Sequence, residues 1–403
     1  MLGFSAHLLL QFLVAVKLFV LISAVPAVFD CSFKHTYPNQ YVAYFVDDND
    51  INIDGKLDEK SWDEVPFTSS FVDISTITKP KFDTKAKMRW SKNYLYIAAV
   101  LEEPEIWANI TSTCHCNTTD EDQVIFHDND FEIFVDPNGD THYYKEFEMN
   151  AYNATWDLVL NEPYANGGYE NSSRVFGTNG FDMQPPLICS VNIDGGSINT
   201  PYSGNKRWSV EVALPIAGLS VNESEYSLPV DGTYWRINFS RVEWGVTIVQ
   251  SSDSNNDLMY IKNASCQSCY VPGTPVEDNW VWSPMQEVSM HMPEKWGFLQ
   301  FSTNDPEIPV DSVMSPEWPV RSVAMLLYNA EQEYYVEQGR YTDDLAVLNS
   351  YSALPILANG TCSSIPIILV GIDGHTFKAS LIDEDGRYSA SIDNTRLLLV
   401  SHA

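Results

Sequence analysis

The residues best suited to chemistry lie in one acidic and aromatic stretch, residues 122–160. Acidic and apolar residues alternate between positions 130 and 136 and again between 146 and 151, and side chains alternate faces along a strand. The polar rows are Asp130, Glu132 and Asp136 in the first run and Glu146, Glu148 and Asn150 in the second. Such a sheet face is either solvated or built to hold a polar ligand, and the pattern alone leaves both readings open.

A sugar is the ligand that these residue types favour. Sugars pack an apolar C–H face on an aromatic ring, while carboxylates and amides hydrogen-bond the hydroxyl groups. Phe126 lies an even number of residues before Asp130 and Glu132, so its side chain shares their face if the strand runs unbroken from it. We therefore expect Phe126, Glu132 and Asn150 to lie on one face.

The same acids allow two other interpretations. Glycoside hydrolysis needs a pair of carboxyl groups across the bond, and the candidates are Glu132, Glu146, Glu148 and Asp157. A structural cell-surface or matrix protein with a vestigial sugar site is the third hypothesis.

Two groups of residues could bind a metal ion. Asp136, Asn138 and Asp140 place oxygen atoms at alternate positions around a glycine turn, which resembles the start of a calcium loop. The alternative is ordinary hydrogen bonding within an Asx turn. Cys114-His115-Cys116 and the pair Cys266 and Cys269 could suggest zinc, but we expect cysteine oxidation instead because a second matching pair is missing.

The charge balance excludes several classes of partner. The chain has 403 residues, with 23 basic and 54 acidic side chains, so its net charge is −31. A surface this negative repels phosphate backbones and anionic membranes, which argues against nucleic-acid binding. Oligosaccharides, polysaccharides and divalent cations remain as partners.

The amino terminus and the sequons predict secretion. Residues 1–27 combine an apolar run with small residues near Ala24 and Ala27, as in a signal peptide, and no other stretch could insert in a membrane. Seven cysteines follow, and we expect some of them to form disulfides. The expected glycosylation sites are Asn109, Asn117, Asn153, Asn171, Asn222, Asn263 and Asn359; an eighth sequon, at Asn238, lies on a predicted strand.

The order of elements predicts a mainly β protein. Alternating strands are expected at 41–45, 86–90, 94–101, 208–214 and 234–242, and strands at this spacing favour an antiparallel β-sandwich over residues 41–302. Prolines mark a linker at 303–319. Residues 320–403 then predict a small α+β unit, in which one helix ends at Gly339 and packs on a short antiparallel meander.

Several ordered motifs are similar to a known family. The runs Asp54–Trp62, Lys92–Ile97 and Asp128–Pro137, with Tyr144–Asn150 and Asp278–Pro284 further on, resemble the family 9 carbohydrate-binding modules and their family 9-like secreted relatives. The resemblance covers roughly residues 41–302. It implies a non-catalytic β-sandwich that grips a sugar between two aromatic rings, and it implies bound calcium.

The resemblance also implies the ligand-binding residues. They are Phe126, Glu132, Glu148, Asn150, Asn279 and Trp282. Phe126 stands where the family has tryptophan, and Glu148 stands where it has arginine. The family places Trp282 in the site, whereas strand parity predicts that this ring points inward.

Overall fold

The computed structural model describes residues 30–111, 123–220, 228–251, 257–263, 277–308, 310–352 and 362–403. The expected signal peptide lies outside these ranges. So do the Cys114–Cys116 triplet, the Cys266 and Cys269 pair, and the sequons at Asn117, Asn222 and Asn359. Within the described residues, no helix has the length and apolar character needed to cross a bilayer.

One large sheet organises residues 40–302, and the mainly β prediction is confirmed. The strands are β1 Gln40–Phe45, β2 Val72–Asp73, β3 Thr84–Trp90, β4 Tyr94–Glu102, β5 Asp130–Asp136, β6 Tyr144–Asn150, β7 Thr155–Leu160, β8 Glu170–Asn171, β9 Ile188–Asp194, β10 Arg207–Pro215, β11 Tyr234–Trp244, β12 Val246–Gln250, β13 Leu258–Lys262, β14 Glu277–Val281 and β15 Gly297–Ser302. Short helices interrupt them: α1 Lys60–Asp63, α2 Ser173–Phe176 and α3 Ile216–Leu219, with 3-10 turns at Lys34–Thr36, Ile125–His127, Tyr164–Asn166, Gly177–Asn179 and Pro293–Lys295.

The large sheet curls so that its two halves face each other. Its strand order is β8-β7-β6-β5-β11-β15-β1-β3-β4-β10-β9, with β14 added beside β11 and β2 beside β14, while β12 and β13 form a separate hairpin. Apolar side chains from both halves form one core, which joins Ile97 and Val210 to Ile133 and Phe239. Most neighbours are antiparallel as expected, but β1 runs parallel to both β15 and β3.

The Asp54–Trp62 motif closes one end of this sheet through Glu211. The carboxylate of Glu211, which lies on β10 and is fully buried, accepts hydrogen bonds from the Asp54 and Gly55 amides and from the Trp62 indole. Gly55 has a φ of 86°, and a side chain there would meet the backbone of Val191 at 2.5 Å. The motif therefore has a structural role, because these hydrogen bonds hold it against β10.

The polar row of β5 and β6 is buried, so the solvated alternative for this face is wrong. Every residue of both strands is buried. The physical reason is a second layer: Ile125, Met285, Met290 and Trp296 come from turns and loops and cover this face of the sheet. Strand alternation predicts which side chains share a face of a strand. It does not predict whether distant segments of the chain cover that face.

The carboxyl-terminal unit has the predicted helix-on-meander form. Helix α4 (Trp318–Gln338) ends at Gly339, which adopts a left-handed conformation with a φ of 69°. It is followed by the short helix α5 (Leu345–Leu348) and by an antiparallel sheet of β16 Ile367–Val370, β17 Phe377–Ile382, β18 Tyr388–Asp393 and β19 Leu398–His402. The apolar face of α4 packs on this sheet.

The predicted linker lies against the large sheet rather than free of it. The Val313 carbonyl accepts hydrogen bonds from Gln40 and Tyr234. Beyond it, α4 anchors to the sheet through Trp318, whose ring packs edge-on against Phe298 with centroids 5.9 Å apart. A Cys31–Cys362 disulfide joins segments 331 positions apart, in agreement with the expected pairing of cysteines.

Replacing Glu211 with Ala should lower the free energy of unfolding by about 3 kcal/mol, because it leaves two buried donors and one part-buried donor without an acceptor. Chemical denaturation measures the change. Glu307→Ala, at an exposed glutamate, is the matched control and should have little effect. Equal effects of the two substitutions would contradict the structural role of the hydrogen bonds to Glu211.

Glu331 in α4 should make stability depend on pH. It is fully buried, and burial together with Asp343 raises its pKa from 4.5 to about 7. As the pH rises, Glu331 therefore loses its proton at a lower pH in the unfolded chain than in the folded chain. The free energy of unfolding of the wild type should fall by up to about 3 kcal/mol between pH ~4.5 and ~7. Glu331→Gln removes this loss, so thermal melting should favour the variant at pH 8 and show little difference at pH 4.5. A larger advantage at pH 4.5 would contradict the assignment.

Candidate functional site

Strands β5 and β6 bring the predicted acids together. Glu132 lies directly opposite Glu148, and Asp130 lies opposite Asn150. Asp130, Glu132 and Glu148 each contribute an oxygen atom to one group whose members all lie within 4.8 Å of one another. All three side chains are buried, with exposed fractions of 0, 6 and 1 %. The alternation predicted the face on which each acid lies, and the sheet register brings the acids together.

Burial makes ionisation of this row costly. It raises the pKa of Glu132 from 4.5 to about 7, although the neighbouring Ser240 hydroxyl offsets part of the effect. Burial also raises the pKa of Asp130, Glu146 and Glu148, and the proximity of the other acids adds to it. Among the described residues, none of the four forms a salt bridge. The row therefore holds its protons tightly unless a cation reaches it.

Phe126 is the predicted site residue that presents an open ring. It lies in the 3-10 turn Ile125–His127 rather than on the strand, so the assumption of an unbroken strand is wrong. Its side chain is 38 % exposed, and its ring stacks beside Trp156 with centroids 6.4 Å apart. Its amide donates to Glu148 at 3.0 Å, which attaches the turn to the acidic row.

A cleft of about 580 Å³ opens beside this turn. Its wall combines aromatic, amide and charged side chains, with Trp107, Asn109, Gln123, His127, Asp128, Arg174 and Lys262 among them. Arg174 also packs over the Trp156 ring at 5.0 Å. The volume suits a small ligand, and the donors and acceptors on the wall suit a ligand rich in hydroxyl groups.

Asn150 has its hydrogen-bonding groups occupied within the protein. Its amide donates to the Ile110 carbonyl and to Asp128, and its oxygen accepts from the Tyr152 and Ala154 amides. Asp128 in turn accepts from the Asn109 and Ile110 amides. Asn150 thus positions the wall of the cleft, and it would need to break these bonds to contact a ligand.

The last two predicted residues lie on β14 and directly after it rather than in the Phe126 turn. Asn279 is half-buried on β14, opposite Val242 of β11. Trp282 is 2 % exposed and packs against Phe239 in the core, over Gly297, where a side chain would meet its ring at 2.4 Å. The inward direction that strand parity predicted for Trp282 is confirmed, and in this conformation the ring cannot stack on a sugar.

The turn at Asp136, Asn138 and Asp140 adopts the Asx arrangement. Asp136 accepts from the Gly139 and Thr141 amides, and Asp140 accepts from the His142 amide and the Asn138 side chain. The Asn138 oxygen accepts from the Asp140 amide. Each side-chain oxygen of these three residues accepts a hydrogen bond within the protein, so the turn is accounted for without a bound ion. Calcium at this turn stays a prediction.

Sequence reasoning overlooked two neighbours of the site. Trp156 lies opposite Glu148 on β7, and its place directly after a sequon and before Asp157 in a short strand could have drawn attention to it. Arg174 comes from α2 within a long loop, and its pairing with Glu170 four residues earlier is the only local signal. The tertiary fold brings Trp156 and Arg174 close to Phe126, and local sequence does not predict this.

The described sequons differ in their access to solvent. Asn109 and Asn263 are exposed, Asn153 and Asn171 are half-buried, and Asn238 is fully buried with its amide donating to the Ser283 carbonyl. If the chain is made in a secretory cell, glycopeptide mass spectrometry should find glycans at Asn109 and Asn263 and an unmodified Asn238. A glycan at Asn238 would contradict the burial of that side chain.

Comparison with known proteins identifies one segment. Residues 53–175 match the family described as carbohydrate family 9 binding domain-like, which is less than a third of the chain. No curated protein sequence matches the chain significantly.

Solved structures give distant matches. A Bacteroides uniformis protein to which carbohydrate binding has been assigned is 15 % identical, with a TM-score of 0.42, and the match covers 66 % of this chain and all of that one. A family 9 carbohydrate-binding module from Caldicellulosiruptor kristjanssonii, solved with cellotriose and with glucose, is 13 % identical in both structures. Its TM-scores are 0.33 and 0.32, and the matches cover 68 and 69 % of this chain and the whole module. The match to the family model, rather than these distant structures, confirms the predicted resemblance over residues 53–175, which contain Phe126, Glu132, Glu148 and Asn150.

Proposed function

We propose that this is a secreted, glycosylated, non-catalytic carbohydrate-binding protein that holds an oligo- or polysaccharide beside Phe126. One observation carries the proposal: an exposed aromatic ring lies in the turn whose next residue, His127, lines a cleft of about 580 Å³, and this turn belongs to the segment that matches a carbohydrate-binding family. Stacking on the ring would supply apolar contact to one sugar face. The polar wall would then bind hydroxyl groups.

The polar wall has the groups that sugar hydroxyls need. His127 follows Phe126 in the same turn, with ring centroids 4.9 Å apart. Lys262 reaches the turn from the β12–β13 hairpin, since its amine donates to the His127 carbonyl at 2.5 Å. Arg174 approaches from the Trp156 side. These donors surround the proposed position of the sugar, while Asp128 is an acceptor at its base.

In this proposal the buried polar residues act by positioning. Glu148 holds the Phe126 amide, and Asn150 holds Asp128. The Trp244 indole donates to the Phe126 carbonyl at 2.8 Å. Three polar contacts thus fix the turn on which the exposed ring stands, and preorganisation of this kind reduces the entropy lost on binding.

Secretion is supported by the sequons and by the disulfide. Exposed Asn109 and Asn263 suit glycosylation, and the Cys31–Cys362 bond suits an oxidising compartment. Asn109 also lines the cleft. A glycan on this residue would stand at the cleft wall, so the glycosylation state of Asn109 bears on ligand access.

Replacing Phe126 with Ala should weaken glycan binding by about tenfold or more, because the stacking surface is lost. A glycan array identifies the ligand and calorimetry measures the affinity. Phe67→Ala is the matched control, since Phe67 is 40 % exposed and packs against Lys87 of β3 on the other half of the sheet. Asn109→Gln tests the glycan and should keep or improve binding.

Three outcomes would contradict this proposal. Binding that survives Phe126→Ala unchanged would place the ligand elsewhere or leave the ring without a role. Release of reducing sugar that disappears in Glu132→Gln would favour a glycoside hydrolase instead. The absence of binding to every glycan tested, with the Asn109→Gln variant included, would favour the structural protein with a vestigial site.

A further inference from the structure

The acidic row contains three carboxyl groups that converge on one point. Asp130 and Glu132 come from β5 and Glu148 comes from β6. One carboxyl oxygen of each residue lies within 4.8 Å of the corresponding oxygens of the other two. An ion that binds oxygen at ~2.4 Å can bridge two oxygens up to ~4.8 Å apart. The spacing therefore allows a single ion to contact all three carboxylates.

These acids would carry uncompensated charge if they ionised without a cation. Among the residues that the structure describes, no lysine, arginine or histidine forms a salt bridge with them. Uncompensated charge in a buried position is very costly, so buried carboxylates are normally paired or bound to a metal ion. Elsewhere the chain follows this rule: buried Arg241 pairs with Glu103 and Glu243.

An unsatisfied oxygen atom points to a ligand at the same place. The Oδ1 atom of Asp130 accepts from the Val242 amide, but its Oδ2 atom has no hydrogen-bond partner among the described residues. The hydroxyl of Ser240 lies beside this group, directly opposite Glu132 on β11, and lowers the pKa of that carboxyl. Both side chains are fully buried. Buried polar atoms are rarely left without a hydrogen bond, so a missing partner is the simplest explanation for Asp130.

We propose that Asp130, Glu132 and Glu148, with the Ser240 hydroxyl beside them, bind a calcium ion. The donors are all oxygen atoms, which hard cations prefer, and they include no histidine or cysteine. Calcium accepts an irregular set of six to eight oxygens and tolerates flexible geometry better than magnesium does. The site is distinct from the Asp136–Asp140 turn, whose oxygens are already occupied.

The ion would also stabilise the turn that bears Phe126. Glu148 accepts from the Phe126 amide through Oε2, so an ion on its carboxylate restrains the turn. The proposed site does not rest on sugar binding, because it follows from the buried acids alone. Its test therefore contains no sugar, and either proposal can fail without the other.

The experiment uses the secreted full-length chain after treatment with a chelator, at pH 7.5. Calorimetry with Ca²⁺ and Tb³⁺ luminescence should each show a saturable site, and Ca²⁺ should raise Tm in a way that EDTA reverses. Trp156 lies opposite Glu148 and is a natural sensitiser. Trp156→Phe should therefore reduce the Tb³⁺ emission while the stoichiometry stays the same.

Amide variants identify the ligands. Asp130→Asn, Glu132→Gln and Glu148→Gln should each weaken binding at this site by ~10-fold or more, because each removes one negative ligand. They keep the shape of the side chain and remove a buried charge, so the chelated variants should melt at or above the wild-type temperature. Asp136→Asn removes the candidate ligand of the neighbouring turn and so separates the two sites, and Glu307→Gln, at an exposed glutamate, is the control that should bind as the wild type does.

Three results would overturn the proposal. The first is the absence of saturable Ca²⁺ or Tb³⁺ binding to the wild type, which would mean that the acids stay protonated. The second is binding that is lost in Asp136→Asn and kept in Glu132→Gln. The third is a Ca²⁺-dependent rise in Tm that is the same in all three amide variants as in the wild type.

Discussion

The burial of carboxyl groups between the curled sheet and its covering layer is the constraint on which the site depends. The acidic row lies on the face of β5 and β6 that points away from the main core, yet loops close over it. Water is therefore excluded from groups that it would normally stabilise. Protonation or a bound cation must replace the lost hydration, and either one changes what the neighbouring turn can do.

The fold treats its buried acids in three ways. Glu211 is surrounded by donors, and Asp128 likewise accepts from the Asn109 and Ile110 amides and from Asn150. Glu103 and Glu243 share a buried arginine. The row at Asp130, Glu132 and Glu148 has too few donors and no described ion pair. This difference separates carboxylates that maintain the fold from carboxylates that are available to a ligand.

The carboxyl-terminal unit belongs to the same structural argument because it packs on the sheet beside the Asp136 turn. The Leu398 amide donates to the Asp140 carbonyl, and the Thr141 hydroxyl donates to the Arg396 carbonyl. Arg321 of α4 donates to the Gly139 carbonyl. The turn that resembles a calcium loop is thus a docking point between two parts of the chain, which gives its polar residues a structural role.

The sequence by itself determined the alternating strands such as β5 and β6, the shared face of Glu132 and Glu148, the helix that ends at Gly339 and the family resemblance of residues 53–175. These features follow from local alternation, turn residues and spacing, which short segments carry on their own. Only the tertiary structure decided that the acidic row is buried, that Trp282 lies in the core and that Phe126 stands beside Trp156 and Arg174. Those outcomes depend on which distant segments cover each face of the sheet. The local periodicity of a segment does not predict which other segments pack against it.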